Sequence, residues 1–175
     1  MPNYKTVFFT LGMLQIVLGI FMIIPIIVQN FYGEFDSSFV IASVITLVFG
    51  ILFVISNLDY DKKINLHQAF LLTSLSWITI AIFGALPLFF SSLNLSFTDA
   101  FFESMSGITT TGSTIISNLE EMPRAILFWR AILQWLGGIG IIVMAITLMP
   151  IMNVGGMQLF KISNSDSSEK ILPKS

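Results

Sequence analysis

Residues 104–114 read Ser104-Met-Ser-Gly107-Ile-Thr109-Thr-Thr-Gly112-Ser-Thr114, a short polar interruption in a very apolar chain. Long apolar stretches flank it on both sides. Within hydrocarbon, non-helical backbone is tolerated only where it is buried in protein or lines a watery cavity. A threonine run that ends in glycine can turn its carbonyl oxygens to one side and replace the water around a cation, as potassium channel filters do. Taken alone, the stretch also fits an ordinary polar loop.

The composition places the chain in a lipid bilayer. Of the 175 residues, 55% are hydrophobic and 10% are charged, and the mean hydropathy is +0.88. Soluble domains carry about 25% charged residues, so this chain has too little polar surface to cover a soluble core. The net charge of −2 argues against a nucleic-acid partner. We therefore predict an all-α membrane protein, with about four transmembrane helices, one re-entrant pore helix and a filter loop.

The residue types that support enzyme chemistry are scarce. The chain has no cysteine, and His67 is its single histidine. Thiolate chemistry and a histidine metal site are therefore excluded, and no serine has a histidine near it in the sequence. We predict no catalytic residue, no enzyme activity and no cofactor apart from a transported ion.

Four apolar stretches reach or approach the roughly 20 residues that cross the hydrocarbon. Pro25 and Pro87 lie near the ends of the first and third, where proline kinks or closes a helix because it lacks an N–H and clashes one turn back. The predicted spans are Val7–Val28, Phe39–Ile55, Ala69–Phe90 and Ala125–Met149.

The distribution of basic residues predicts the orientation. With a cytoplasmic N-terminus, six lysines lie inside and only Arg124 and Arg130 lie outside, as the positive-inside rule favours. The loop after the third span then dips into the membrane from the outside. The six lysines are Lys5, Lys62, Lys63, Lys161, Lys170 and Lys174.

A short helix is predicted before the threonines. Ser96 and Asp99 fit a capping box, in which Ser96 is the N-cap and Asp99 reaches back. A helix over Phe97–Ile108 would be about 18 Å long at 1.5 Å per residue. Its C-terminal end would point into the membrane, where the partial negative charge of the helix dipole favours a cation. Thr109–Ser113 would then return outward as extended chain, with Gly112 at a position of unusual dihedral angles or of close approach to the ion.

Three charged residues near the loop have two interpretations each. Asp99 and Glu103 lie one turn apart, which fits an acid/base or cation site. The favoured alternative is that Asp99 caps the helix and Glu103 pairs with an arginine or with hydroxyls behind the loop. Arg130 lies in an apolar helix, where a charge is costly and usually faces the bundle. It either pairs with Glu103 or snorkels to the nearby surface, and both readings stay open.

Small and aromatic residues of the last span also have a structural and a functional interpretation. Its three glycines fit a gating hinge or close helix packing, of which packing is favoured. The tryptophans fit interfacial anchors. These residues are Gly137, Gly138 and Gly140, and Trp77, Trp129 and Trp135.

Several motifs around the loop resemble the TrkH family, the bacterial potassium uptake transporters of the Trk/Ktr/HKT superfamily. They are Asp99-Ala-Phe-Phe-Glu103-Ser-Met-Ser-Gly107 with its Thr-Thr-Thr-Gly112, then Trp129-Arg130-Ala-Ile-Leu-Gln134-Trp-Leu-Gly-Gly-Ile-Gly140, and Gly155-Gly-Met-Gln-Leu-Phe160. The resemblance implies two additional N-terminal helices (1–57), a first helix–pore loop–helix repeat (58–150) and a cytoplasmic tail that begins the next repeat (151–175).

The resemblance also implies the function and the residues that carry it. The function is potassium transport, with dehydrated K⁺ held by backbone carbonyls. Glycine at position 112 goes with potassium preference, whereas some plant relatives with serine there favour sodium. The implied filter residues are Thr109, Thr110, Thr111, Gly112 and Ser113, with K⁺ at Thr110, Thr111 and Gly112, and the supporting residues are Asp99, Glu103 and Arg130.

The implied partners are those of a larger assembly. Family members form dimers with a cytosolic nucleotide-binding regulatory subunit, and they lie in the bacterial inner membrane. They carry four repeats, whereas one repeat is recognisable here, so the remaining repeats or other copies of the chain would have to complete a pore. We expect a truncated product, a fragment or one piece of a split transporter. The alternative is a non-conducting membrane subunit or a remnant of such a transporter.

Overall fold

The computed structural model describes residues 4–34, 36–60 and 64–151, with side chains described through residue 146. Those residues form helices and connecting turns, with no strand among them. The helices are α1 (Lys5–Phe21), α2 (Ile23–Tyr32), α3 (Ser38–Ser56), α4 (Leu66–Phe90), α5 (Phe97–Ile108) and α6 (Arg124–Ile151), with a short 3-10 turn at Leu119–Glu121.

Four helical segments in the described part of the chain are long and apolar enough to cross a membrane, which confirms the predicted fold class. They are Lys5–Tyr32, Ser38–Ser56, Leu66–Phe90 and Arg124–Ile146. Most of the lysines that predict the orientation lie outside the described residues, as does the Gly155–Phe160 motif. The orientation and the bounds of the three predicted domains therefore stay predictions.

The chain divides into two compact units, residues 1–140 and 141–175. The first unit contains α1 to α5 and the start of α6. In the second unit, the described residues are the last part of α6.

The two prolines have different effects on their helices. The first span breaks at Met22, and Pro25 then lies in the first turn of α2. This placement fits the missing N–H of proline and its clash with the carbonyl four residues earlier. Pro87 instead remains inside α4, which continues to Phe90.

Helices α1 and α3 pack through glycine. A Cβ on Gly12 would lie 2.8 Å from the Gly50 carbonyl oxygen, and a Cβ on Gly50 would lie 2.9 Å from the Gly12 carbonyl oxygen. The two backbones are therefore in direct contact, which only residues without a side chain permit. Near the end of α1, the Ser43 hydroxyl donates to the Gly19 carbonyl at 2.9 Å.

The core is centred on Trp129 of α6. The side chain is fully buried against the ring of Phe39, and its indole N–H donates to the Gly84 carbonyl at 2.9 Å. The prediction that Trp129 anchors an interface was wrong, because the glycine of α4 leaves a backbone acceptor within reach of the indole. Trp135 is exposed and Trp77 is half-buried.

The capping box predicted at α5 is only half present. The Ser96 hydroxyl accepts from the Asp99 N–H at 3.1 Å, but no hydrogen bond among the described residues joins the Asp99 carboxylate to the Ser96 N–H. Asp is one methylene shorter than the Glu or Gln that completes this motif. The full reciprocal box instead lies at the start of α4, between Asn65 and Gln68.

The connection between α2 and α3 is tied to the start of α6. The Glu34 carboxylate accepts from the Arg124 N–H at 3.0 Å, and the Arg124 guanidinium lies 4.4 Å from the centre of the Tyr32 ring. Pro123 directly precedes α6, where its missing N–H costs nothing. The N-terminal helices thereby contact the helix that follows the threonine loop.

Candidate ion-coordinating loop

Helix α5 ends at the threonine run, with the same bounds that the sequence predicts. The Thr109 N–H donates to the Met105 carbonyl and the Thr110 N–H to the Gly107 carbonyl, both at 2.9 Å. From position 111 to 118 the chain has no regular secondary structure. The loop therefore begins at the C-terminal end of a 12-residue helix, where unpaired carbonyls carry partial negative charge.

Two residues of the loop adopt left-handed backbone angles. Thr110 has a φ of 59° and Gly112 a φ of 76°. Such angles are uncommon for a residue with a branched side chain, whereas glycine adopts them at little cost. The prediction that Gly112 needs unusual dihedral angles is confirmed.

The carbonyl oxygens of Thr109–Gly112 have no hydrogen-bond donor among the described residues. Thr110, Thr111 and Gly112 are exposed. Each backbone carbonyl is a strong hydrogen-bond acceptor, so these exposed oxygens are open to water or to another ligand.

Ser106 of α5 makes hydrogen bonds to the loop through both its backbone carbonyl and its side-chain hydroxyl. Its carbonyl accepts from the Thr111 N–H at 3.0 Å and from the Gly112 N–H at 3.3 Å. Its hydroxyl donates to the Ser113 carbonyl at 2.6 Å. One buried side chain and its own carbonyl thus fix three consecutive residues of the loop.

Glu103 fixes the next two residues. One of its carboxylate oxygens, Oε1, accepts from the Thr114 hydroxyl at 2.6 Å and from the Ile115 N–H at 2.7 Å. The Glu103 side chain is fully buried. A charge-assisted hydrogen bond of this kind is roughly twice as strong as a neutral one, so Glu103 is a firm attachment point for the returning chain.

Arg130 of α6 neutralises that buried carboxylate. Its Nε lies 3.0 Å from Oε2 of Glu103, and its side chain is 16% exposed. The structure therefore favours the pairing interpretation over snorkelling. Asp99 lies in the first turn of α5 and is half-buried. Glu103 binds hydroxyl and backbone groups together with an arginine, as the favoured interpretation held.

Glycines allow α5 to lie close to its neighbours. A Cβ on Gly84 of α4 would lie 2.6 Å from the Ser104 hydroxyl, and one on Gly107 would lie 3.0 Å from Cβ of Leu133. A Cβ on Gly137 would overlap the Ile108 carbonyl. Close packing is therefore confirmed for Gly137.

Gly138 and Gly140 make no such approach. No neighbouring heavy atom would lie within 4 Å of a Cβ added at either glycine. On the other side of the loop, Gln134 Nε2 would lie 3.5 Å from a Cβ on Gly112, which is ordinary contact.

Side chains do not form a metal site in the described part of the chain. No group of three or more His, Cys, Asp or Glu side chains there is arranged to hold a metal ion. The oxygens of the loop itself are backbone carbonyls and side-chain hydroxyls, and rings of backbone carbonyls form the cation filters of channels.

Three residues of this site were not recognised from the sequence: Ser106, Thr114 and Gly84. Ser106 follows Glu103 by three positions, so the two share one face of α5. That spacing was a readable signal that both face the loop. Gly84 and Thr114 gave no comparable signal, because their contacts depend on how α4 and the returning chain pack.

Comparison with known proteins places this architecture in a family. A family profile described as "Cation transport protein", TrkH, matches residues 36–172. The chain belongs to the TrkH family. The predicted family membership is therefore confirmed.

Similar curated TrkH-family proteins are potassium uptake proteins by name. The chain is 45% identical over 165 residues to "Trk system potassium uptake protein TrkI" of Halomonas elongata, covering 94% of this chain and 34% of that protein. It is 41% identical over 165 residues to "Trk system potassium uptake protein TrkH" of Escherichia coli K12, covering 91% and 33%. The chain thus spans about a third of the length of these relatives.

A solved TrkH-family structure has the same fold over this region. The crystal structure of the potassium transporter TrkH from Vibrio parahaemolyticus matches with a TM-score of 0.82 and 35% identity. The match covers 89% of this chain and 34% of that one. These relatives are transporters rather than enzymes, in line with the predicted lack of enzyme activity.

Proposed function

We propose that this chain takes part in potassium transport across the membrane, and that the carbonyls of Thr109–Gly112 coordinate dehydrated K⁺. Ser113, the fifth predicted filter residue, is left out because its carbonyl already accepts from the Ser106 hydroxyl. The observation that carries the proposal is the run of carbonyl oxygens without a donor, held in place from behind by Ser106 and Glu103. Fixed oxygens replace a hydration shell without rearranging when the ion arrives. The names of the relatives support potassium as the cation.

The electrostatics of the site favour a single positive charge. The C-terminal end of α5 supplies partial negative charge next to the loop. Glu103 carries a full negative charge, but Arg130 compensates it at 3.0 Å. The loop therefore attracts a monovalent cation through dipoles, without a carboxylate that would bind the ion too tightly to release it.

One loop supplies oxygens from one side only. A dehydrated ion needs ligands all around it, so the complete site takes further loops. We propose that these come from the remaining pore repeats or from other copies of this chain. In the complete form we propose a dimer in the bacterial inner membrane, with a cytoplasmic N-terminus and a cytosolic nucleotide-binding regulatory subunit.

The test uses a chimera, defined as the Escherichia coli relative with its matching third replaced by residues 1–175 of this chain. The chimera is expressed in cells that lack their own potassium uptake, and K⁺ and Na⁺ uptake are measured. We expect uptake with K⁺ preferred. A matched control is Thr111→Val, which removes a hydroxyl and keeps the carbonyl, and for which we expect the preference to persist.

The outcomes separate the proposal from its alternative. A chimera that reaches the membrane but carries no K⁺ would favour the non-conducting subunit. Loss of preference in Thr111→Val would assign coordination to side chains instead of carbonyls.

A further inference from the structure

We propose that Ser106 is a positioning residue that sets the outer limit of the ion path, because its hydroxyl holds the Ser113 carbonyl away from the ion. The inference rests on the proposed function and adds to it. It separates the four carbonyls of Thr109–Gly112, which face a cation, from the next one, which does not.

The hydrogen bonds on either side of Ser113 define this boundary. The Ser113 carbonyl accepts from the Ser106 hydroxyl at 2.6 Å, and Ser106 is only 6% exposed. A carbonyl bonded to a buried hydroxyl points its oxygen into the protein. The four preceding carbonyls have no such donor among the described residues.

The same residue also fixes the last two coordinating positions. The Ser106 carbonyl accepts from the N–H groups of Thr111 and Gly112. These bonds use the backbone of Ser106 and survive any side-chain replacement. Removing the hydroxyl therefore frees Ser113 alone and leaves the rest of the loop attached.

A free Ser113 carbonyl would change the site in a defined way. With no donor behind it, its oxygen can turn towards the ion and add a ligand at the outer end. An additional, loosely held oxygen adapts to a smaller ion more easily than a fixed one. Discrimination between K⁺ and Na⁺ should then fall, while the Glu103 attachment still holds Thr114 and Ile115.

Pore helix α5 offers a matched control two residues away. Ser104 is also buried, at 0% exposure, and its hydroxyl has no hydrogen-bond partner in the part of the chain that the structure describes. Ser104→Ala and Ser106→Ala remove the same atom from the same helix. Only the second removes a bond to the loop.

The experiment compares K⁺ and Na⁺ flux through the purified chimera in proteoliposomes for wild type, Ser104→Ala and Ser106→Ala. The readout is the ratio of the two fluxes, which does not depend on the number of folded molecules. For Ser106→Ala we expect the ratio to fall by about two- to tenfold, the range that corresponds to losing one hydrogen bond. We expect Ser104→Ala to keep the wild-type ratio, and Ser106→Cys, with its weak S–H donor, to lie between.

Three results would overturn the inference. If the wild-type chimera is selective and Ser106→Ala leaves the K⁺-to-Na⁺ flux ratio unchanged, the inference is contradicted and the proposed function still stands. Equal losses in Ser104→Ala and Ser106→Ala would assign the effect to packing of α5. A wild-type chimera that does not discriminate between the ions would overturn both the inference and the proposed function.

Discussion

The α1–α3 helix pair and the loop after α5 both hold polar groups inside an apolar protein, but they do so in different ways. In the helix pair, backbones touch at Gly12 and Gly50, and the Thr46 hydroxyl bonds the Ala42 carbonyl of its own helix at 2.7 Å. The Ser43 hydroxyl of α3 instead donates to the Gly19 carbonyl of α1 at 2.9 Å. Gln15 is fully buried, and neither of its amide atoms has a hydrogen-bond partner among the described residues.

In the loop, side chains bond to backbone that is distant in sequence. Glu103 reaches Thr114 and Ile115, and Ser106 reaches Ser113. These bonds attach the loop to α5, while the carbonyls of Thr109–Gly112 have no donor in the described part of the chain. Close packing of the two helices therefore stabilises the α1–α3 pair, whereas an ion pair and hydrogen bonds position the loop.

The largest expected effect is that of Glu103→Ala. This change removes two hydrogen bonds and leaves the guanidinium of Arg130 without its partner. Breaking a buried ion pair on one side costs about 3–5 kcal/mol, which thermal unfolding in detergent micelles would detect. The control is Glu120→Ala, an exposed position in the 3-10 turn, where we expect a change within about 0.5 kcal/mol. Equal effects of both would mean that charge does not position the loop.

A smaller loss of stability is expected for Gly12→Val. The new Cβ would meet the Gly50 carbonyl at 2.8 Å, so the two helices must separate. Overpacking of this kind costs about 1–3 kcal/mol, measured by the same unfolding experiment. For the control Gly138→Ala, where nothing lies within 4 Å, we expect no loss and a gain of up to about 1 kcal/mol from helix propensity. A neutral Gly12→Val would contradict the backbone contact.

Gly112→Ser tests the loop through its ion preference. A Cβ there meets only ordinary contact, so the cost of about 1–2 kcal/mol arises from the left-handed backbone. We expect the K⁺-to-Na⁺ flux ratio of the chimera to fall about fivefold or more, the equivalent of about 1 kcal/mol. Gly33→Ser is the control, since Gly33 has a φ of 70° with open space around it. It should lose stability and keep the ratio. An unchanged ratio in Gly112→Ser would remove the filter role from this glycine.

The smallest effect, and one of opposite sign, is expected for Gln15→Met. The replacement keeps the volume and removes an amide that has no partner, so stability should rise by up to about 1 kcal/mol. The control is Gln29→Met, which deletes a 2.8 Å bond from the amide to the Asp36 carbonyl and should lower stability. A loss of stability in Gln15→Met would mean that the Gln15 amide does bind a partner, such as an internal water. The unfolding temperatures of both variants would then be lower than that of the wild type.

Much of the fold was predictable because local signals agreed with it. Apolar length identified the four spans, and Ser96 with Gly107 and the threonines set the bounds of α5. The pairing of Glu103 with Arg130 was one of two open interpretations. The position of Trp129 was predicted wrongly, because a tryptophan in a membrane helix usually lies at the membrane–water interface. The Thr114 bond was missed because it depends on how the returning chain packs, whereas the three-residue spacing of Glu103 and Ser106 was an available signal.

The sequence by itself determined that the chain lies in a membrane, where its helices run and which loop departs from helical structure. Apolar length, proline, glycine and capping residues act within a few positions of one another, so they can be read along the chain. Tertiary structure alone decided which oxygens remain unpaired. That outcome depends on bonds between α5 and the returning chain, on the partner of Glu103 in α6, and on the glycines that let α4, α5 and α6 approach each other.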